Sequence, residues 1–474
     1  MYFYDNLFYM KLNNVKWVIF TIIATGNFLG MLDSTIVNLA LYPMARDLGV
    51  SISQVQWVII AYTLVLTVFL PFWGKVGDLV PKNRLYAFGF SLFAIGSFLN
   101  TIAQSLPFLI LFRCIEALGA SIIISNASSV IASLFKGKDR GKALGLNGCI
   151  VAVGGLLGPS LGGMLLQLFN WHAIFIPAIP IALFGIYYSY KMVPSVIAQK
   201  EKLKFDYPGF IYFTISLFAL LLAISEGYHW GWGSVKILTL GVICLGFGFL
   251  FYYRDHRISY PMINFNLFSI KPFTFGNLAV MTSYMAMFTN TILLPFYLQD
   301  ILKFKPFITA LIILPYSVVL MITAPLSGSA AGKYGSRYLT LAGPIVTFLA
   351  LSLFILFDKD TPVIYIMLLS GIMGMGNGLF QSPSNTAIIS SVSKEQLGIA
   401  SGILALSRNM GNILGVAITI TLFASFRDIY QQLGLPYDIS FLKAYRYTMA
   451  FGMFFAFLCV TLSFIAYKDN KNEA

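Results

Sequence analysis

Charge is scarce in this chain. Lys, Arg, Asp and Glu make up 10% of the 474 residues and hydrophobic residues 58%, whereas soluble globular domains carry about 25% charged residues. That excludes an ordinary water-soluble domain and leaves a polytopic membrane protein. Histidine is scarcer still, at 3 residues. No zinc-protease His-Glu-x-x-His occurs, and Gly328-Ser-Ala-Ala-Gly332-Lys333-Tyr334 misses the spacing and the Ser/Thr of a phosphate loop. Neither an ATP-driven pump nor a membrane enzyme is indicated, and no metal or other cofactor is expected. The four cysteines, Cys114, Cys149, Cys244 and Cys459, all fall in apolar stretches, where cysteine behaves as a small hydrophobe. They imply no disulfide framework.

What the chain has in quantity is long apolar runs. Windows of about 20 residues, the length that crosses a bilayer, give fourteen such segments between residues 16–41 and 445–467. The first is too long for a signal peptide and lacks its cleavage site, so it is expected to stay as an anchor. Polar breaks at 194–206, with Lys200, Lys202 and Lys204, and at 254–271 divide the segments six, two and six. The expected units are residues 1–195, an N-terminal six-helix bundle; 196–255, two inserted linker helices; and 256–474, a C-terminal six-helix bundle.

The net charge of +13 could suggest a nucleic-acid partner, but its distribution points elsewhere. With both termini and the loops after even-numbered spans inside, 21 Lys and Arg lie on the inner side and 8 on the outer. Such a bias sets membrane orientation. It predicts a multi-pass protein of a bacterial-type plasma membrane with both termini cytoplasmic, in contact with lipid and not with nucleic acid.

Glycines recur at a fixed offset, as an internal repeat requires. Gly119, Gly145, Gly154 and Gly158 reappear 257 positions later as Gly376, Gly402, Gly411 and Gly415, and Gly74 and Gly89 reappear 254 later as Gly328 and Gly343. Repeated bundles that rock about a midplane site are common among transporters. The charges are not repeated: Asp78, Arg113 and Glu116 become Gly332, Ser370 and Met373. Proton chemistry is therefore expected in the first bundle.

Asp33 lies in the first apolar run, where a mid-membrane carboxylate costs about 2.5–3.5 kcal/mol and marks a functional site by default. Its alternative is a solvated or Thr35-paired acid that only tunes packing. Arg113 and Glu116, three apart on one helix, share a face and pair; the pair reads as a structural ion pair or as one that includes a second proton-linked carboxylate. Gly154, Gly158, Gly162 and Gly163 lay a stripe without side chains along span five, and Pro159 removes a backbone donor. This places span five at the interface between bundles, or else reflects ordinary small-residue packing. The aromatic cluster Gly227-Tyr-His-Trp-Gly-Trp232 reads as an interfacial belt.

Four of these elements resemble the signature motifs of the major facilitator superfamily, in its fourteen-helix drug:proton antiporter branch (EmrB/QacA-like). They are Leu32-Asp33-Ser-Thr-Ile-Val-Asn38, Gly74-Lys-Val-Gly-Asp78-Leu-Val-Pro-Lys-Asn-Arg84, Arg113-Cys-Ile-Glu116-Ala-Leu-Gly119 and Gly154-Gly-Leu-Leu-Gly158-Pro159-Ser-Leu-Gly162-Gly163. Pro295-Phe-Tyr-Leu-Gln299 and Arg408-Asn-Met-Gly411 add to the likeness. It implies an all-α membrane protein of the major facilitator fold, with 14 transmembrane helices (6 + 2 + 6) in pseudo-symmetric bundles. The implied function is proton-driven export of lipophilic, cationic or zwitterionic drug-like molecules by a monomer. Alternatives are a narrower exporter, for a tetracycline-metal complex, siderophore, amino acid or lipid, and a non-transporting receptor or scaffold.

By the same resemblance Asp33 takes the proton and Arg113 modulates it. Gly74, Asp78 and Arg84 form a conformational latch, with Leu79 and Pro81 standing where the family has Arg and Gly. The Gly158-Pro159 element favours exchange over leak, and Glu116 replaces a more usual Gln. Candidates to line the substrate cavity are Asn38, Tyr62, Tyr284, Phe288, Tyr316 and Gln381.

Overall fold

A computed structural model describes residues 2–50, 52–193, 206–258, 261–263 and 265–467. Among them are fifteen α-helices and no strand. Apart from a one-turn helix at Ile52–Val55, they run as α1 Tyr2–Asp47, α2 Trp57–Leu79, α3 Lys82–Asn100, α4 Leu106–Leu134, α5 Gly137–Leu168, α6 Ala178–Met192 and α7 Tyr207–Trp230. There follow α8 Val235–Asp255, α9 Lys271–Phe296, α10 Pro306–Tyr334, α11 Arg337–Phe354, α12 Val363–Ser390, α13 Leu397–Gln432 and α14 Tyr437–Tyr467. The basic stretch at 194–205 and the side chain of His229 lie outside the described residues, as does the side chain of Pro159.

The helix ends follow local chemistry. Prolines occupy the first turn of α4, α7, α9 and α10, where no intrahelical donor is lost. Gly231 and Gly335 close α7 and α10 with φ of 80° and 83°, a region open to glycine at little cost. Among the described residues, twelve helical stretches are long and apolar enough to cross a membrane. The twelve do not include α3, which opens on Lys82, Asn83 and Arg84, or α5, several of whose side chains lie outside the described residues.

The packing follows the repeat. α1 lies against α4, α5 and α6, and α3 against α4 and α6; in the second half α9 lies against α13 and α14, and α11 against α12 and α14. The two groups meet chiefly along two helix pairs, α2 with α13 and α5 with α10, and α4 also touches α13 and α5 also touches α12. α7 and α8 pair with each other, and α7 also touches α2 and α13.

Equivalent glycines make equivalent contacts. Gly119 sits against Gly89 and Phe93, and Gly376 against Gly343 and Thr347. Gly145 meets Ala324 and Pro325 across the groups, while Gly402 meets Leu70 and Pro71. At each place a side chain would strike neighbouring backbone, and small residues are what let helices approach this closely.

The stripe on α5 has a different partner from the expected one. Gly154, Gly158 and Gly162 face Phe28, Thr35 and Ile36 of α1, within the first group, and a Cβ at Gly163 would meet nothing within 4 Å. The cross-group contact of α5 is made on another face and one end, by Gly141 against Gly328 and Gly145 against Ala324. Sequence spacing identifies a smooth face but not the helix that fills it.

Candidate functional site

Asp33 on α1, with Arg113 and Glu116 on α4, forms one buried cluster. Their relative exposures are 3%, 1% and 0%. Arg113 Nη1 donates to Asp33 Oδ1 at 2.9 Å and Oδ2 at 2.7 Å, and to Glu116 Oε2 at 2.7 Å. Both hydrogen bonds recorded to Asp33 come from this arginine. Glu116 receives two more, from Ser97 Oγ at 2.6 Å and Asn100 Nδ2 at 2.7 Å, both on α3. Charged partners this deep are tolerated only when paired and hydrogen-bonded.

The neighbours explain how the cluster fits. The Arg113 guanidinium carbon lies 4.0 Å from the ring centre of Tyr62 on α2 and 5.7 Å from that of Phe175, in cation-π range. Gly96 brings α3 onto the backbone of α4 at Glu116, which lets Ser97 and Asn100 reach the carboxylate. Unlike the three charged residues, Ser97 and Asn100 do not stand out in the sequence. Their three-residue spacing beside Gly96 was a signal, but a faint one among many Ser and Asn residues. With two carboxylates and one guanidinium, the cluster is neutral when it holds one proton.

A second group of contacts joins the two halves. Asp78, near the end of α2, accepts from Gly398 N at 2.7 Å and Ile399 N at 3.0 Å. These are free donors in the first turn of α13, where a negative charge is favoured. Gly74 lies against Gly398 and Gly402, and Gly77 leaves room for Asn126. Asn126 accepts from Lys82 Nζ at 2.8 Å and donates to Trp73 O at 3.0 Å. Arg84 is exposed, and no hydrogen bond or ion pair joins it to Asp78 among the described residues. The latch expected of Gly74, Asp78 and Arg84 is thus without its arginine: the start of α3 turns Lys82 inward and Arg84 outward. Nearby, Arg140 on α5 donates to Ser390 Oγ on α12 at 2.8 Å, and Ser382 on α12 to Gly141 O at 3.1 Å.

Beside these contacts lies a cavity of about 40 Å³ walled by both halves. Tyr284 and Gln381, two of the six predicted lining residues, belong to it, with Ser128, Asn147, Asn385 and Arg408. The other four do not. Tyr62 underlies Arg113, Tyr316 Oη accepts from Asn377 at 3.3 Å, Phe288 stacks on Tyr284 with ring centres 6.5 Å apart, and exposed Asn38 donates to Ser34 O at 3.3 Å. The amide of Asn147 is held by Asn27 of α1 at 2.8 Å.

Two related helical groups around a polar cleft, with buried ionisable residues in one of them, define a membrane transporter. The chain belongs to the Major Facilitator Superfamily, which residues 23–416 match and residues 276–474 match again. It is 33% identical over 411 residues to the riboflavin transporter RibZ of Clostridioides difficile (strain 630), covering 86% of this chain and 88% of that protein. It is 30% identical over 410 residues to the multidrug resistance protein Stp of Mycobacterium tuberculosis (strain CDC 1551 / Oshkosh), covering 86% and 76%. Among solved structures, the proton:xylose symporter XylE bound to 6-bromo-6-deoxy-D-glucose aligns with a TM-score of 0.63 at 14% identity, over 94% of this chain and 96% of that one. That likeness concerns the fold alone.

Proposed function

We propose that this chain is a proton-coupled antiporter that exports lipophilic small molecules by alternating access. The observation that carries the reading is the Asp33–Arg113–Glu116 cluster, which holds one more acid than base in a buried site. Asp33 is the proton acceptor. Glu116 accepts from Ser97 and Asn100 as well as Arg113, whereas the short contacts of Asp33, at 2.7 and 2.9 Å, both come from Arg113. When a proton neutralises Asp33, Arg113 is left to Glu116 and the grip of α4 on α1 loosens. Entry of that proton gains about 2.3 kcal/mol per 100 mV of membrane potential.

The Asp78 contact to α13 is the latch, closing the cytoplasmic side while the cleft faces outward. In this reading α3 and α5 also cross the membrane, giving fourteen spans in the 1–195, 196–255 and 256–474 units, with both termini in the cytoplasm of a bacterial-type cell. The antiporter works as a monomer, without a cofactor. Support for α3 and α5 comes from their lengths of 19 and 32 residues and their packing between helices that qualify as spans.

A narrower cargo is favoured by one specific finding, the 33% identity to a riboflavin transporter. Purified protein in liposomes, assayed for proton release on addition of riboflavin and of a drug panel, tests both readings. Release by several unrelated drugs supports multidrug exchange, release by riboflavin alone supports the narrow reading, and release by none contradicts coupling.

A further inference from the structure

Arg408, on α13, is the charged residue of the cleft that the coupling scheme leaves unused. It lines the cavity, is only half-buried, and has no ion pair or hydrogen bond among the described residues. At the offset that relates the two halves, 257 positions earlier, stands Val151, which lines the same cavity. The second half has therefore placed a guanidinium where the first has an apolar side chain, just as the first has placed Asp33, Arg113 and Glu116 where the second has none. No carboxylate lines the cavity. A cation at this depth is costly unless it faces water or a partner.

The surroundings narrow what that partner is. Gln381 and Asn385 on α12 and Asn147 on α5 offer amide donors and acceptors, and the Tyr284 ring forms an apolar wall backed by Phe288. Guanidinium is suited to planar, two-point recognition of an anionic oxygen pair. The walls come from α4 and α5 on one side and α9, α10, α12 and α13 on the other, so the space widens when the two halves part.

We infer that Arg408 binds the anionic group of the transported molecule, and that the cargo is an aromatic organic anion or a zwitterion with an aromatic body. This rests on the cleft being the cargo site, and it selects the zwitterion over the lipophilic cation among the cargoes the sequence suggests. It does not depend on proton coupling.

The test is equilibrium binding to the purified full chain in neutral detergent at pH 7.5, without any gradient, so a failure of coupling and a failure of this inference separate. The probes are fluorescein, naphthalene-2-carboxylate and rhodamine 123; fluorescein and rhodamine 123 share a ring system but differ in charge. Wild type should bind at least one of the two anions saturably and in preference to rhodamine 123. Arg408→Gln should weaken that anion by about tenfold or more, the loss expected when one partner of a buried charge pair is truncated, without weakening rhodamine 123. Arg408→Lys should fall between.

Absence of saturable anion binding by wild type, or equal affinity in Arg408→Gln, overturns the inference. So does displacement of the anion by dioctanoyl-phosphatidylglycerol, which would assign the arginine to a lipid headgroup. If Arg408→Gln does not fold, the wild-type preference between fluorescein and rhodamine 123 decides, and a preference for the cation overturns the inference.

Discussion

Asp78 and Gly398 stand 320 positions apart in the chain and 2.7 Å apart in space, the carboxylate of one accepting the amide hydrogen of the other. With the Ile399 amide on its second oxygen, Asp78 acts as an N-cap supplied by a different helix and a different half of the molecule. A cap of this kind is worth about 0.5–2 kcal/mol. That is enough to bias a two-state equilibrium and small enough to be broken in every cycle.

Asp78→Asn replaces one of the two acceptors by a donor that faces an N–H. The two halves should part more often, and Cys149 on α5 reports it. Its Sγ lies 3.0 Å from Met321 O on α10, across the junction, and the residue is buried. Alkylation of Cys149, followed by mass spectrometry of its peptide, should rise by about fivefold or more, as a shift of about 1 kcal/mol requires. An unchanged rate would show that Asp78 does not hold the junction shut.

Gly158 faces Thr35 of α1, two residues from Asp33, so α1 is held between α5 on one side and Arg113 of α4 on the other. Gly158→Leu should block transport by displacing α1, with overpacking costing about 1–3 kcal/mol, while cargo affinity at equilibrium falls much less. Gly158→Ala should impair transport in a milder way, and adding Thr35→Ala, which removes the hydroxyl nearest to an alanine Cβ, should restore it in part. Failure of the pair to recover would place the functional effect of Gly158 elsewhere than on α1.

The buried cluster predicts an asymmetry in stability. Arg113→Ala leaves two acids without their cation and should cost about 3–5 kcal/mol, seen as a marked drop in the thermal unfolding midpoint in detergent. Asp33→Asn and Glu116→Gln each leave one acid paired with Arg113 and should cost clearly less. Equal losses from all three would argue against a shared arginine.

Much of the fold was legible because the constraint that shapes it is local. Apolar runs of membrane length must be helical, and glycines at a constant offset mark the close approaches, as Gly145 with Pro325 and Gly402 with Pro71 illustrate. The cluster was half legible. Arg113 and Glu116 share a helix face by arithmetic, but the bridge from Arg113 to Asp33, 80 positions away, depends on how α1 lies on α4. Arg84 shows the same limit. Its place near Asp78 in sequence gave no rule for the turn at Pro81 that sends Lys82 inward and Arg84 to the surface. The helix α3 was read as a span from its apolar run, but Lys82, Asn83 and Arg84 at its start keep it out of the twelve.

Glu116→Gln separates the two roles open to that residue. With Ser97, Asn100 and Arg113 still in place around an amide, the account expects lower thermal stability and an unchanged ratio of charge moved to cargo moved in liposomes. A changed ratio would make Glu116 a second proton carrier.

The most direct test of the central claim is Asp33→Asn in liposomes at pH 7, with cargo export against its own gradient measured under an imposed proton gradient. The substitution is nearly isosteric and cannot titrate, so the account predicts folded protein, cargo binding retained, no cargo-induced proton release and no uphill export. Undiminished uphill export by Asp33→Asn would contradict it.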